Sequence, residues 1–524
     1  MSNYYIFNIE VRVNSTKLSN LLVSLIVGCI VAFLFQKYIF LPYIEPDKSS
    51  FIATAKQDVF GPLNKEINFI QKHQSKEPVR STIETEWGSL LFSTEGAALE
   101  RLDIKRQYHG QHKFIRTITL LDSFALESKS FLLLFEEDTP LQYDLVDQTN
   151  QAEAQTLVYE TKLQGASIKK IFSIDKKNAV ITLKIELNGV DQYKTWQPRI
   201  MLKSPFLSGG VDEELISSIV INNKNTFSKK MMEKVDPDQV WIKPQLFGLD
   251  DRYFVHALIK DNGLLQKAYY TMFSQKQYGI MLQAAEQKGS FVWETTFFVG
   301  PKDLDTVRAV DVRLEQTVDY AGWFEHIAKG LLWILKLLFH YLGNYGFAII
   351  MLTILLKLLM LPLTLTSDTT MKQQKEIQKK LAYIQQKYKD NPQLLAHERN
   401  ELIRKHGVSA IGLGGCLPIL VQIPIFVALS RLLNSSFELY QAPMLWIPDL
   451  SARDPWYVLP IIIMLSMLAS AFNADDKQKL SIIAVALLFG AFTANFAAGL
   501  ALYIAVNTLF GVIQTNVIHY FRRR

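Results

Sequence analysis

Apolar residues fall along this chain in two rhythms, and the change from one to the other divides it. Unbroken apolar runs occupy 18–35 and much of the chain beyond 330, whereas 81–300 carries short segments in which apolar and polar residues alternate. Alternation marks strands with one buried face, while a run of about eighteen apolar residues marks a helix that crosses a bilayer. Ile181, Leu183, Ile185 and Leu187 alternate with Thr182, Lys184 and Glu186, and Asn188 with Gly189 then supplies a turn. Similar strands are expected at 89–92, 131–135, 157–163, 168–174 and 291–299. Residues 81–318 should therefore form a large antiparallel β-sandwich, with a short helix at 303–310. Residues 44–80, with Pro46, Pro62 and Pro78 and no sustained period, read as a linker.

The apolar runs predict six transmembrane helices, at 18–35, 347–365, 411–433, 457–472, 480–494 and 500–520. The first closes an N-terminal segment, 1–43, and has Arg12 and Lys17 ahead of it, so it reads as an uncleaved anchor. Ile26 to Cys29 also fits a loose lipoprotein-processing pattern, but the apolar run continues for six residues past Cys29. The last five form a core over 345–524. Ahead of that core, 319–344 carries Trp323, Phe324, Ile327, Leu331, Leu335 and Leu338 at helical spacing, as in an amphipathic helix lying in the membrane interface; a connector packed on the next span is the plainer reading. Within the core, 367–409 is polar. Ile377, Leu381, Ile384 and Tyr388 give it a narrow apolar seam, and Asn391 with Pro392 can start a second helix, so a helical hairpin is expected.

Charge orients this arrangement. The hairpin holds nine Lys and Arg against five Asp and Glu, and the chain ends in Arg522, Arg523 and Arg524. The loop at 434–456 carries Glu438, Asp449 and Asp454 against Arg453. Basic loops stay in the cytoplasm, so both termini and the hairpin are expected inside, and 36–344 outside. The net charge of +6 is too diffuse to suggest nucleic acid. The two cysteines, Cys29 and Cys416, lie in or beside apolar runs, so disulfides cannot hold the soluble domain.

One charge stands out. Lys357 sits near the middle of 347–365, about 13 Å from the polar end of a span about 28 Å long. A side chain that reaches about 6 Å cannot bring its ammonium out from that depth, so the group needs water or a partner. None of the six spans holds an Asp or Glu. They hold neutral polar groups instead: Thr353, Gln422, Ser430, Ser466, Thr493, Asn507, Thr508 and Gln514. Asn507, Gly511 and Gln514 share one helical face. Each alone is an ordinary packing contact; together with Lys357 they favour a hydrated groove open to the cytoplasm. Soluble-enzyme motifs are weak. His109 and His112 lack further ligands at metal spacing, His397 and His406 are most simply solvated, and Gly412 to Gly415 lacks a phosphate-binding lysine. No cofactor or metal is expected.

Five segments carry a resemblance: VGPKDLDTVRAVD at 299–311, GNYGFAIIMLTILLKLLMLPLT at 343–364, GGCLPILVQIPIFVALSRLL at 414–433, QAPMLWIPDLSARDPWYVLPI at 441–461 and GLALYIAVNTLFGVIQ at 499–514. In these the chain resembles the YidC/Oxa/Alb family of membrane protein insertases; EWGSLLFSTEGAALERLDIKR at 86–106 resembles the opening strands of its periplasmic domain. The resemblance implies a non-enzymatic insertase and chaperone of the bacterial inner membrane, acting alone or with the Sec translocon. Its implied partners are newly made membrane proteins, the translocon, the ribosome and lipids. It places Lys357 where the family usually has arginine and makes the cytoplasmic hairpin, with its seam of Ile377, Leu381, Ile384 and Tyr388, the receiver of clients; around Lys357 the polar groups Thr353, Gln422, Asn507 and Gln514 are the candidate groove lining. Lysine keeps the charge but loses the planar fork. The family's proline near the start of the last span is absent from NFAAGL. A small-solute transporter or channel is the alternative reading, and an anchored carbohydrate-binding or carbohydrate-modifying enzyme a third.

Overall fold

The computed structural model describes residues 77–108, 114–122, 129–135, 141–189, 195–203, 216–274, 277–318, 325–389, 391–406, 417–471 and 476–523. The expected anchor at 18–35, the linker as far as 76, Trp323, Phe324, His109 and His112 lie outside them. The described residues up to 318, with Ser435–Phe437, form one compact unit, and the rest from 325 onward form a second.

The first unit is an antiparallel sandwich. One layer is a nine-stranded sheet in the order Phe227–Met231, Ser217–Ile221, Leu246–Asp250, Phe254–Asp261, Phe291–Pro301, Val180–Asn188, Ala166–Asp175, Ala154–Leu163 and Asp144–Asn150. Against it lie a four-stranded sheet, opened by Arg80–Glu84 and Gly88–Ser93, and a five-stranded sheet containing Leu265–Ser274 and Gln277–Ala284. The alternation seen in the sequence is the burial pattern: Ile181, Leu183, Ile185 and Leu187 are all fully buried. Aromatic pairs join the layers. Phe92 packs on Phe172 with ring centroids 4.8 Å apart, and Phe247 stacks on Tyr270 at 4.5 Å while the Tyr270 hydroxyl donates to the Gly248 carbonyl at 2.8 Å. Gly248 has no room for a side chain, since a Cβ there would stand 2.4 Å from the His256 carbonyl oxygen. The expected helix at 303–310 is α1, Leu304–Val310, and Asp303 caps it by accepting the Thr306 N–H at 3.0 Å.

Period-two reasoning missed the charges inside this sandwich. Lys129 is fully buried and pairs with Glu95 and Glu100. Lys170, equally buried, donates to the carbonyls of Gly96, Ala97 and Phe131 at 2.9, 2.6 and 2.7 Å. Asp250 takes Lys302 at 2.6 Å and Lys229 at 2.9 Å. Each buried ion thus has partners to replace lost water, which is the condition for tolerating it.

The second unit is helical: α2 Glu325–Leu342, α3 Tyr345–Lys387, α4 Pro392–His406, α5 Leu417–Ser435, α6 Val458–Ala471, α7 Asp476–Thr493 and α8 Ala498–Arg523. Tyr345–Leu365 and Ala498–Ile518 are long and apolar enough by themselves to cross a membrane; Val421–Ser435, Val458–Ala469 and Lys479–Thr493 are shorter apolar stretches. In α2 the buried side chains are Ala328, Leu331, Leu332 and Leu335, so Leu331 and Leu335 of the expected face are buried and Leu338 is half-buried, while Ile327 is exposed; Trp333, Leu337 and Tyr341 are exposed on the other side. The polar stretch after the Lys357 run is also not separate from it. α3 runs unbroken for 43 residues, roughly 64 Å, through the Thr366 to Thr370 cluster, with no glycine or proline between 366 and 387.

Two titrating groups in the sandwich give a pH test. Burial pushes His256 down to about 4; its Nδ1 lies 3.4 Å from the Lys203 carbonyl, and its Nε2 is buried without a hydrogen bond. Burial pushes Asp251 up to about 6, although it accepts the N–H groups of Tyr253 and Phe254 at 2.7 and 2.6 Å. As pH falls from about 6.5 to 4 the unfolded chain protonates its histidine first, which costs about 3 kcal/mol of stability. Between about 6 and 4 the folded chain protonates Asp251 first, which returns a similar amount. Relative to the unmodified chain, Asp251→Asn should lose stability on acidification over this range and His256→Gln should gain it. Denaturant midpoints at pH 4, 5 and 6.5 check the two slopes.

Candidate functional site

α3 begins where Asn344 ends a turn. Its side-chain oxygen accepts the N–H groups of Gly346 and Phe347 at 2.8 and 3.3 Å, and its amide donates to the Pro443 carbonyl at 2.9 Å. This cap ties the first turn of the helix to the loop that holds Pro443. At 100° per residue Thr353, Lys357 and Thr364 fall on one face, with Met351, Leu355, Leu358 and Leu359 on the other. Exposure follows this division. Thr353 is buried and Lys357 half-buried, whereas Met351, Leu355, Leu358 and Leu359 are exposed. The Thr353 hydroxyl donates to the Ile349 carbonyl at 2.7 Å, within its own helix. Among the described residues Lys357 has no hydrogen-bond or ion-pair partner.

α8 packs against both α3 and α6. Its outward residues Leu509, Ile513 and Val517 are exposed; Asn507, Gly511 and Gln514 are half-buried on the other side. Asn507 Oδ1 and Gln514 Nε2 are buried atoms without a hydrogen-bond partner, and a Cβ built on Gly511 between them meets no atom within 4 Å. One turn earlier on the same face is Tyr503, buried, whose hydroxyl accepts a hydrogen bond from Gln422 of α5 at 2.8 Å. Gln422 thus links two helices. The sequence reading missed Tyr503, although stepping back four residues from Asn507 reaches it.

On the hairpin Ile377 is buried and Leu381, Ile384 and Tyr388 are half-buried, while Tyr383 is exposed; α3 and α4 touch along this part. Asn391 Oδ1 accepts the Leu394 N–H at 3.3 Å at the start of α4. Ligand atoms of His397, Glu398 and Glu401 on α4 lie within 4.8 Å of one another, so the histidine read as merely solvated stands among groups able to hold a divalent cation weakly.

Two family models match the chain: the YidC periplasmic domain over residues 80–334 and the 60Kd inner membrane protein over 337–524. Among curated relatives, the membrane protein insertase YidC of Geobacter sp. strain M21 is 30% identical over 463 residues, 84% of this chain and 85% of its own. The chain belongs to the YidC family of membrane protein insertases. A family member from Thioalkalivibrio sulfidiphilus is 40% identical over 237 residues, 44% of this chain and 42% of its own. A solved structure of an active YidC insertase with its first transmembrane domain resolved covers 94% of this chain and 99% of its own, at 18% identity and a TM-score of 0.36. The two family models, one periplasmic and one of the inner membrane, meet between 334 and 337, beside the change from sandwich to helices.

The polar groups of α5 and α8 differ in what they contribute to stability. Gln422→Leu should lower stability by about 1–3 kcal/mol, because the buried Tyr503 hydroxyl loses its partner. Asn507→Leu should leave stability unchanged or raise it, because it removes an unsatisfied buried oxygen. Thermal unfolding of the two variants in detergent decides this.

Proposed function

We propose that the inward face of the helical unit is a hydrated groove through which polar flanks of a client segment pass during insertion. The carrying observation is Lys357: half-buried, on the face turned away from the exposed apolar residues, and unpaired among the described residues. An ammonium at that depth is tolerable beside water, and water there shortens the apolar distance a polar flank must cross. Asn507 and Gln514, with open space at Gly511, supply further unsatisfied polar atoms for water or client. Gln422 and Thr353, whose groups are already engaged, shape the lining more than they bind.

In this reading six spans, five of them forming the core over 345–524, cross the inner membrane with both termini in the cytoplasm. The sandwich over 81–318 and the interfacial helix over 319–344 then lie on the periplasmic side, after an anchor within 1–43 and a linker over 44–80. Clients are newly made membrane proteins, received at the cytoplasmic hairpin along Ile377, Leu381, Ile384 and Tyr388. The Sec translocon and the ribosome act as partners, and no cofactor takes part.

Reconstitution into liposomes tests the role of the charge. Lys357→Leu should slow insertion of a client with an acidic translocated segment at least several-fold, and Lys357→Arg should retain it. Insertion by the leucine variant at the unmodified rate would remove Lys357 from the mechanism.

A further inference from the structure

Between α5 and α6 the chain forms a compact loop, 438–457, whose carboxylates are turned inward. Asp449 Oδ1 accepts the N–H groups of Gln441 and Ser451, each at 2.8 Å, and the Ser451 hydroxyl at 2.7 Å. Asp454, 3% exposed, accepts the Trp446 indole N–H at 3.1 Å and the Trp456 N–H at 3.2 Å on one oxygen, and the Leu459 N–H at 2.7 Å on the other. Glu438 is buried and paired with Lys336 of α2 at 3.0 Å. The loop is also tied to the start of α8, where Ala498 N–H donates to the Ala452 carbonyl at 2.6 Å and Gly499 N–H to the Leu450 carbonyl at 2.7 Å.

What this framework presents outward is apolar and cationic. Leu445 is 74% exposed, Trp456 69% and Tyr457 52%, and Arg453 is exposed beside them. Asp454 holds the two apolar tips together, since it binds both Trp446, next to Leu445, and Trp456, next to Tyr457. Leu445 and Tyr457 adopt left-handed backbone at φ +48 and +55, a conformation that costs a side chain with a Cβ roughly 1 kcal/mol or more. A loop meant for water would hide its aromatic rings and put glycine or asparagine at those positions. Tyr457 is followed directly by α6, whose Val458–Ala469 stretch is apolar.

We propose that this tip is a docking surface for phospholipid. Leu445, Trp456 and Tyr457 enter the boundary between headgroups and acyl chains, and Arg453 meets lipid phosphate. Amphipathic rings favour that boundary, and with the carboxylates internal the exposed charge beside the rings is a cation. The surface holds the outer ends of α6 and α8 at one height in the bilayer, because both helices leave from the same hydrogen-bonded loop. The inference rests on the topology proposed above, which makes the leaflet the periplasmic one.

Nitroxide labels placed on the full chain test it. Trp456→Cys, Leu445→Cys and Ala452→Cys are prepared with Cys29 and Cys416 replaced by serine, and reconstituted in phosphatidylcholine and phosphatidylglycerol vesicles. Labels at 456 and 445 should collide with oxygen several-fold more than with a water-soluble nickel chelate, and the label at 452 should show the reverse ratio. Nickel access at 456 equal to that at 452 would put the tip in water, and access by neither reagent would put it against protein; either result overturns the proposal. An impermeant thiol reagent applied to spheroplasts should label the Ala452→Cys variant. Failure of that arm with lipid contact at 456 intact would overturn the topology and leave the lipid surface standing on the other leaflet.

Discussion

In the proposed topology, a charged group at membrane depth constrains the helical unit more than any packing preference does. The ammonium of Lys357 costs several kcal/mol in hydrocarbon. It therefore sets which side of α3 can face lipid. The exposed leucines take one side, and Thr353, Lys357 and Thr364 the other. In the proposed groove the interior does not close as an ordinary apolar core. There, water would fill the open space at Gly511 and meet the unsatisfied atoms of Asn507 and Gln514.

The sandwich treats the same kind of charge in the opposite way. Lys129, Lys170 and Lys302 are more deeply buried than Lys357, yet each has carboxylates or carbonyls around its ammonium. Those lysines are part of an architecture that is complete in itself. Lys357 has no hydrogen-bond or ion-pair partner among the described residues, and in the proposed groove water or the client takes that place.

Much of the fold could be read from the sequence because period and run length are local properties. The strands at 168–174 and 181–187, the α1 helix with its Asp303 cap, and the apolar runs at 347–365 and 500–520 all follow from neighbouring residues. Three things did not follow. The continuity of α3 past Leu365 was hidden by the run Thr366 to Thr370, weak helix formers through which the helix nevertheless continues. The burial of Ala328 and Leu332 in α2 and the exposure of Ile327 were not legible, because hydrophobicity alone does not say which side of a helix meets its neighbour. The Gln422–Tyr503 hydrogen bond and the charge clusters around Lys129 and Asp250 join residues distant in the chain, which no local period encodes. In the candidate site the residue types were legible; their division into engaged groups, Thr353 and Gln422, and unsatisfied ones, Asn507 and Gln514, needed coordinates.

The unbroken run of α3 has a mechanical meaning. A helix of roughly 64 Å is a stiff rod, capped at one end by Asn344 and seamed at the other to α4. Pro362 lies between, where it removes the N–H that the Leu358 carbonyl would otherwise accept, so the rod has one soft joint, five residues beyond Lys357. A bend of α3 is therefore least costly at that turn, between the segment that carries Lys357 and the segment that packs on α4.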